Sequence, residues 1–195
     1  VTDVALRAFY RGYRQVMVLG TQGVADALEE FGVPCCFPGT EAAAIADAVY
    51  VAWHPECTME DIHAACALVL DGGAFLTASD VPYFATKDGR SFGYSCAING
   101  AVARVTGREP EPCGKPSALA MEFVARELGL DPADVAVVGD DAVAEMQMAR
   151  AGGAIGVAVA SGSTSREEWA AQPDERRPDL VIDGVGDLLD GAWLG

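Results

Sequence analysis

The chain has 195 residues, 51% of them hydrophobic and only 8% aromatic, with 22 glycines and a formal charge of −16 at pH 7. That composition supplies a sizeable core for one large or two small domains, and it suits helices packed closely on a sheet better than an all-β sandwich. The acidic excess argues against nucleic acid or an anionic membrane surface as partner, and an anionic substrate would have to be drawn in by a local cation.

Residues 4–10 carry a helical pattern that starts abruptly, like a helix whose preceding strand is absent. Residues 15–19 read as a strand ended by Gly20. Residues 22–31 read as an amphipathic helix with Val24, Ala27, Leu28 and Phe31 on one face and Gly32 as its stop. Residues 33–37 make a short strand interrupted by Pro34 and bounded by Pro38. The apolar run 48–53 predicts a central strand, closed by His54-Pro55. Thr58, followed by two acids, predicts a helix start; that helix runs to about Leu70 and stops at Asp71-Gly72-Gly73. Residues 74–78 form the next strand, ending in Ser79-Asp80. Residues 81–90 read as a loop, 92–105 as a loop turning into a helix stopped by Gly107, and 108–112 as a polar connector. A helix over 117–128, a strand over 135–138, a helix, a strand over 155–160, a helix near 167–171, a loop, a strand over 180–182 and a short helix after Val185 complete the chain. Strand and helix alternate throughout, so the expected class is α/β with a mostly parallel sheet.

The stretch 113–160 organises the rest. Val135 to Val138 is a short β-branched run that predicts a buried parallel strand. Gly139 allows a sharp turn at its end. Asp140 and Asp141 then stand at the strand's carboxyl end, where open α/β sheets place their ligand sites, and vicinal acids there suit a hard cation such as Mg²⁺. Glu145 follows in the first turns of the next helix. Lys115, upstream, suits a phosphate or a cluster of carboxylates. Taken alone, Gly139-Asp140-Asp141 reads equally well as a turn whose Asp caps the next helix, and Lys115 as a solvated lysine.

Gly114-Lys115-Pro116 with Gly139-Asp140-Asp141 and Glu145 at this spacing resembles the third and fourth motifs of the haloacid dehalogenase-like phosphohydrolases. The surroundings are similar to the branch with a large α/β cap, the NagD-like or p-nitrophenyl-phosphatase-like proteins. The resemblance implies a Rossmann-like parallel core with an inserted cap: residues 1–13 end a first core segment, 14–112 form the cap and 113–195 the C-terminal part of the core. It implies that Lys115 steadies the nucleophile and the phosphoryl group, that Asp140 holds Mg²⁺, and that Asp141 shares the metal's surroundings. Glu145 stands where a second Asp is usual, and suits orienting Lys115 or a metal-bound water. Ser79 and Asp80 replace part of a family segment of the form apolar-Ala-Thr-Asn-Pro-Asp near the junction of cap and core.

The implied function is a Mg²⁺-dependent phosphatase acting on a small phosphorylated metabolite through an aspartyl-phosphate; the alternative is an inactive relative that binds a ligand without turnover. The partners expected are that substrate and a second copy of the chain through the cap. The family's nucleophile is the first Asp of an Asp-x-Asp on the first core strand. Val1-Thr2-Asp3 has no strand before it, Asp71-Gly72 follows a helix, and Asp183-Gly184 is isolated near the end. On this reading about 70 residues of the native protein, two strand–helix units, lie outside this chain. The 195 residues alone are expected not to hydrolyse phosphate esters.

Other candidates carry blander readings. His54 and His63 are nine apart on different elements and read as a loop and a surface histidine. Trp53 reads as a core aromatic at a strand end. Gly152-Gly153 reads as a helix–strand turn rather than a phosphate cradle. Ser161-Gly-Ser-Thr164 reads as the cap of the helix near Arg166 rather than an anion site. Tyr83, Lys87 and Arg90 read as a solvated loop or a substrate contact. The six cysteines show no CxxC spacing, no run reaches the roughly 18 apolar residues of a membrane span, and no leader pattern opens at Val1, so a reducing cytoplasm is expected.

Overall fold

Val16–Leu19 (β1) is four apolar residues long and buried on both faces, which marks an interior strand of a covered parallel sheet. The computed structural model containing it describes residues 11–86 and 89–189. The helix expected over 4–10, the start of the first core segment and Lys87 lie outside these residues. The chain divides into two units between Gly114 and Lys115.

In the first unit, Gln22–Glu30 (α1) and Cys35–Cys36 (β2) follow β1. Next come Ala48–Val51 (β3), Met59–Leu70 (α2) and Ala74–Thr77 (β4). Tyr83–Thr86 (β5), Gly89–Phe92 (β6), Tyr94–Thr106 (α3) and Glu111–Pro112 (β7) complete the unit. Five strands form one parallel sheet in the order β2-β1-β3-β4-β7. The alternation of side chains along β1 divides its core in two. Val16 and Val18 pack with Leu28 of α1, while Met17 and Leu19 pack with Ala65 and Val69 of α2 and with Ile98 and Val102 of α3. Leu19, Val51 and Thr77 lie side by side at the carboxyl ends of β1, β3 and β4.

The capping signal at Thr58 is realised as a reciprocal box. Asp61 N–H donates to Thr58 Oγ1 at 3.2 Å, and Thr58 N–H donates to Asp61 Oδ2 at 2.8 Å. Gly72, at φ +96°, ends α2 as expected.

Two expectations for this unit need correction. Most of the described part of 81–90 is strand rather than loop: β5 and β6 pair antiparallel, Tyr83 opposite Phe92 and Thr86 opposite Gly89. The signal was Asp88-Gly89 between β-forming aromatics, a hairpin pattern easily read as loop because of its Pro and Gly. Residues 108–112 are not only a connector, because β7 pairs with Leu76 and Thr77 of β4. A two-residue edge strand leaves no periodicity to detect.

The second unit contains Ala118–Leu128 (α4), Ala136–Gly139 (β8), Gln147–Gly152 (α5), Ile155–Val159 (β9), Arg166–Ala170 (α6) and Leu180–Ile182 (β10). Its sheet is parallel in the order β10-β9-β8. Met121 and Ala125 of α4 pack with Val135, Ala149 and Ala154, and Trp169 of α6 packs with Ala142, Met146 and Ala158. Gly152 lies directly against Met121, so a side chain there would force α4 and α5 apart.

The strand expected to be buried is a correction too. β8 is at the edge of this three-stranded sheet, with Ala136 and Val138 exposed. A β-branched apolar run reports tolerance of burial; the number of flanking strands is set by the rest of the chain.

At the start of β1, the Asp47 carboxylate accepts the backbone N–H groups of Arg14 and Gln15 and the Arg14 Nε–H at 3.0 Å. Burial alone would raise its pKa, but these hydrogen bonds outweigh it and hold the carboxyl below its ordinary value. Asp47→Ala should cost about 1–2 kcal/mol in urea unfolding, since charge-assisted bonds to backbone donors are lost. A folded pKa below the unfolded one stabilises above the ordinary carboxylate range, and that contribution fades as pH falls through the lowered value. The penalty should therefore be full at neutral pH and shrink in acid. A penalty independent of pH would show that the charge is not what matters.

Candidate active site

β8 ends at Gly139, and the next two residues are Asp140 and Asp141. The chain then forms one widened turn over Ala142–Met146 before α5 begins. Met146 N–H reaches back to Asp141 C=O at 3.4 Å, a spacing of five residues. Such widened turns are rare and frequently mark functional positions.

Within this turn Glu145 is placed against the tip of β8. A Cβ on Gly139 would collide with the Glu145 side chain, so glycine is required there by close approach. Glu145 Oε1 accepts from Lys115 Nζ at 2.5 Å, and Glu145 Oε2 accepts from Asp141 N–H at 3.1 Å. The acid is largely buried, with 14% of its side chain exposed, whereas Lys115 is 56% exposed. The lysine is thus anchored on one side and open to solvent on the other.

Asp141 is committed locally. Its Oδ1 accepts the backbone N–H groups of Val143 and Ala144, both at 2.8 Å, which makes it the cap of the widened turn. Asp140 is held differently. Its Oδ2 accepts Ser163 N–H at 2.7 Å, and its backbone C=O accepts the Ser163 hydroxyl at 2.7 Å. Gly162 lies directly against Asp140, where any Cβ would overlap the carboxylate. Asp140 therefore points from β8 toward the loop after β9, with Oδ2 fixed. Among the described residues Oδ1 carries no hydrogen bond. A cavity of about 340 Å³ opens there, lined by Val138, Gly139, Asp140, Val159, Ser161, Gly162 and Val185.

Lys115, Asp140, Asp141 and Glu145 thus gather at one strand end of the second unit. Ser163 and Gly162 were missed as functional residues. Residues 161–164 do not cap α6 as expected; the cap is Ser165, which exchanges hydrogen bonds with Glu168. The available signal was a Gly-Ser pair after a strand parallel to β8. Asp183, set aside earlier, pairs with Arg166.

Ser79 and Asp80 belong to the first unit, where they form a cluster of their own. Asn99, 1% exposed, donates from Nδ2 to Thr77 Oγ1 and Asp80 Oδ1, each at 2.9 Å, and to Ser79 C=O at 3.3 Å. Nothing in its local sequence singles out Asn99. Trp53 is a correction: it is 53% exposed rather than core, and meets Tyr94 edge-on at 5.9 Å. His63 is exposed on α2, as expected.

Residues 112–188 match the sequence family described as HAD-hydrolase-like. The chain is 28% identical over 178 residues to the 5'-nucleotidase YutF of Bacillus subtilis, covering 89% of this chain and 64% of that protein. It is 26% identical over 181 residues to mouse chronophin, covering 90% of this chain and 62% of chronophin. It therefore spans a little under two thirds of the length of these curated relatives. Among solved structures, the p-nitrophenyl phosphatase from Archaeoglobus fulgidus superposes with a TM-score of 0.82 at 28% identity, over 97% of this chain and 72% of that one.

The contacts of Gly162 generate a direct expectation. Gly162→Ala must displace the Asp140 carboxylate or the loop after β9, at a cost of about 1–3 kcal/mol for overpacking. Urea unfolding should register that loss. A variant as stable as the parent would mean that the loop is free to move away from Asp140.

Proposed function

We infer that this chain, which belongs to the haloacid dehalogenase-like hydrolases, is the metal- and phosphate-handling part of a Mg²⁺-dependent phosphatase that acts on a small phosphorylated metabolite. The observation that carries this reading is the arrangement at the tip of β8. One ammonium group is oriented by a buried carboxylate, beside a second carboxylate fixed at a cavity mouth.

The residues fit the metal. Around Lys115 stand three carboxylates, so two negative charges remain uncompensated at the strand end, and every donor is an oxygen. Oxygen donors without nitrogen or sulfur are the set that Mg²⁺ prefers. Asp140 would hold the ion through its open carboxylate oxygen. Asp141, whose Oδ1 is occupied in capping the turn, contributes charge and backbone geometry. When bound, the metal supplies charge neutralisation for the phosphoryl oxygens.

The chain's own residues do the rest. Glu145 holds Lys115 Nζ at a fixed point, so that the ammonium can neutralise a phosphoryl oxygen without first being desolvated and ordered. Ser163 keeps Asp140 in the conformation that presents its open oxygen. The attacking carboxylate is none of these residues: Asp141 is bound to the turn, Glu145 to the lysine, and Asp140 is committed to the metal. We place it on a strand tip outside this chain, forming the aspartyl-phosphate, and we assign the first unit to the cap. Glu145 in place of the usual Asp does not favour the ligand-binding alternative, because its longer side chain still reaches Lys115.

The test is phosphate release by the complete protein from sugar phosphates, nucleotides and p-nitrophenyl phosphate with Mg²⁺. Hydrolysis of at least one class is expected, and none across the panel would turn the reading into that of a binding protein. Asp140→Asn should lower turnover by about 100-fold or more. Asp141→Asn should do less to turnover and leave the cap nearly intact, because Asn caps about as well as Asp. Equal losses of turnover from both would overturn the division of roles. Residues 1–195 alone should release no phosphate; turnover comparable to the complete protein would place the nucleophile inside this chain.

A further inference from the structure

The loop after β3 and the first turn of α2 bring together three side chains that the phosphate-handling residues do not involve. His54, Cys57 and Asp61 each present one ligand atom, and these atoms all lie within 4.8 Å of one another. The three are half-buried. His54 Nε2 stands 3.5 Å from Asp61 Oδ2. Ligands at Zn²⁺ distances around a tetrahedral ion are separated from each other by roughly 3.3–3.8 Å.

The backbone preorganises the group. Cys57 N–H donates to His54 C=O at 3.3 Å, closing a turn across Pro55-Glu56 that folds the imidazole and the thiol back toward each other. Asp61 is fixed from the other side, because Oδ2 accepts both Thr58 N–H and Thr58 Oγ1–H, at 2.8 and 2.9 Å. Among the described residues its other oxygen has no hydrogen-bond partner. A capping box alone accounts for Thr58 and Asp61, but not for a histidine and a cysteine converging on the same carboxylate.

We propose that His54, Cys57 and Asp61 bind a borderline-soft divalent cation of the Zn²⁺ type, with the fourth position open to water or another ligand. The donor set decides the class. Thiolate with imidazole selects Zn²⁺ and Co²⁺ over Mg²⁺, whereas the all-oxygen group at Asp140 has the opposite preference. The sulfur binds the cation as a thiolate, so uptake releases the Cys57 proton to solvent as the sulfur–metal bond forms. The site is independent of the function proposed above.

The experiment is to strip residues 1–195 with a chelator and titrate with Co²⁺, then displace with Zn²⁺. One equivalent should bind with a thiolate-to-cobalt charge-transfer band, which Zn²⁺ erases and excess Mg²⁺ does not. Cys57→Ser should abolish the band, and His54→Ala should weaken Zn²⁺ binding by about 10-fold or more. His54 lies in a loop, so this second variant tests the site even if replacement of Cys57 disturbs α2. Asp140→Asn should leave the band unchanged. No band, a band that persists in Cys57→Ser, or one that disappears in Asp140→Asn would each overturn the assignment.

Discussion

The second unit depends on a single carboxylate. Glu145 uses both of its oxygens, one on Lys115 Nζ and one on Asp141 N–H, so it ties the segment entering α4 to the tip of β8. As an ordinary ion pair with a half-exposed lysine, the contact is worth only about 0.2–1 kcal/mol. Its consequence is geometric. It requires Gly139 to have no side chain and the turn after Asp141 to be one residue wider than a normal helical turn, because a regular helix beginning there would carry residue 145 away from the strand end. The capping bonds of Asp141 hold that turn open from its other end.

The same constraint explains why two adjacent acids do different work. Asp141 is the first residue of the turn, so its side chain faces the free N–H groups of Val143 and Ala144 and satisfies them. Asp140 is the last residue to follow the course of the strand, and its side chain meets the loop after the neighbouring strand β9. There Ser163 and the bare backbone of Gly162 receive it. Turn-capping therefore falls to Asp141 alone, which leaves Asp140 open for the role proposed for it above.

Much of this was legible before the structure. The buried parallel strands showed as β-branched runs, α2 showed through Thr58 and Asp61, and the gathering of Lys115, Asp140 and Glu145 at one strand end was implied by the family resemblance of their motifs. What escaped was non-local. Ser163 matters only because β9 runs beside β8, and Asn99 only because α3 packs beneath the end of β4. Nothing in their immediate sequence distinguishes them from other small polar residues. The β5–β6 hairpin was missed for a different reason, since Pro82 and Gly89 signal a break in structure as readily as they bound a pair of short strands. The exposure of β8 could not be read locally at all, because an apolar run looks the same at the edge of a sheet as at its centre.

The net charge of −16 gives these local arrangements a common meaning. A strongly acidic protein repels phosphate at long range, and this repulsion is screened beyond about 8 Å at physiological ionic strength. What decides binding is then the charge within that radius. At the tip of β8, one lysine against three carboxylates leaves the site anionic. On the function proposed above, the acidic excess that disfavours the substrate would favour the metal, and phosphate would follow the cation. The largely buried Glu145 holds Lys115 Nζ at the strand tip while leaving the lysine exposed, so the positive charge there has a fixed position.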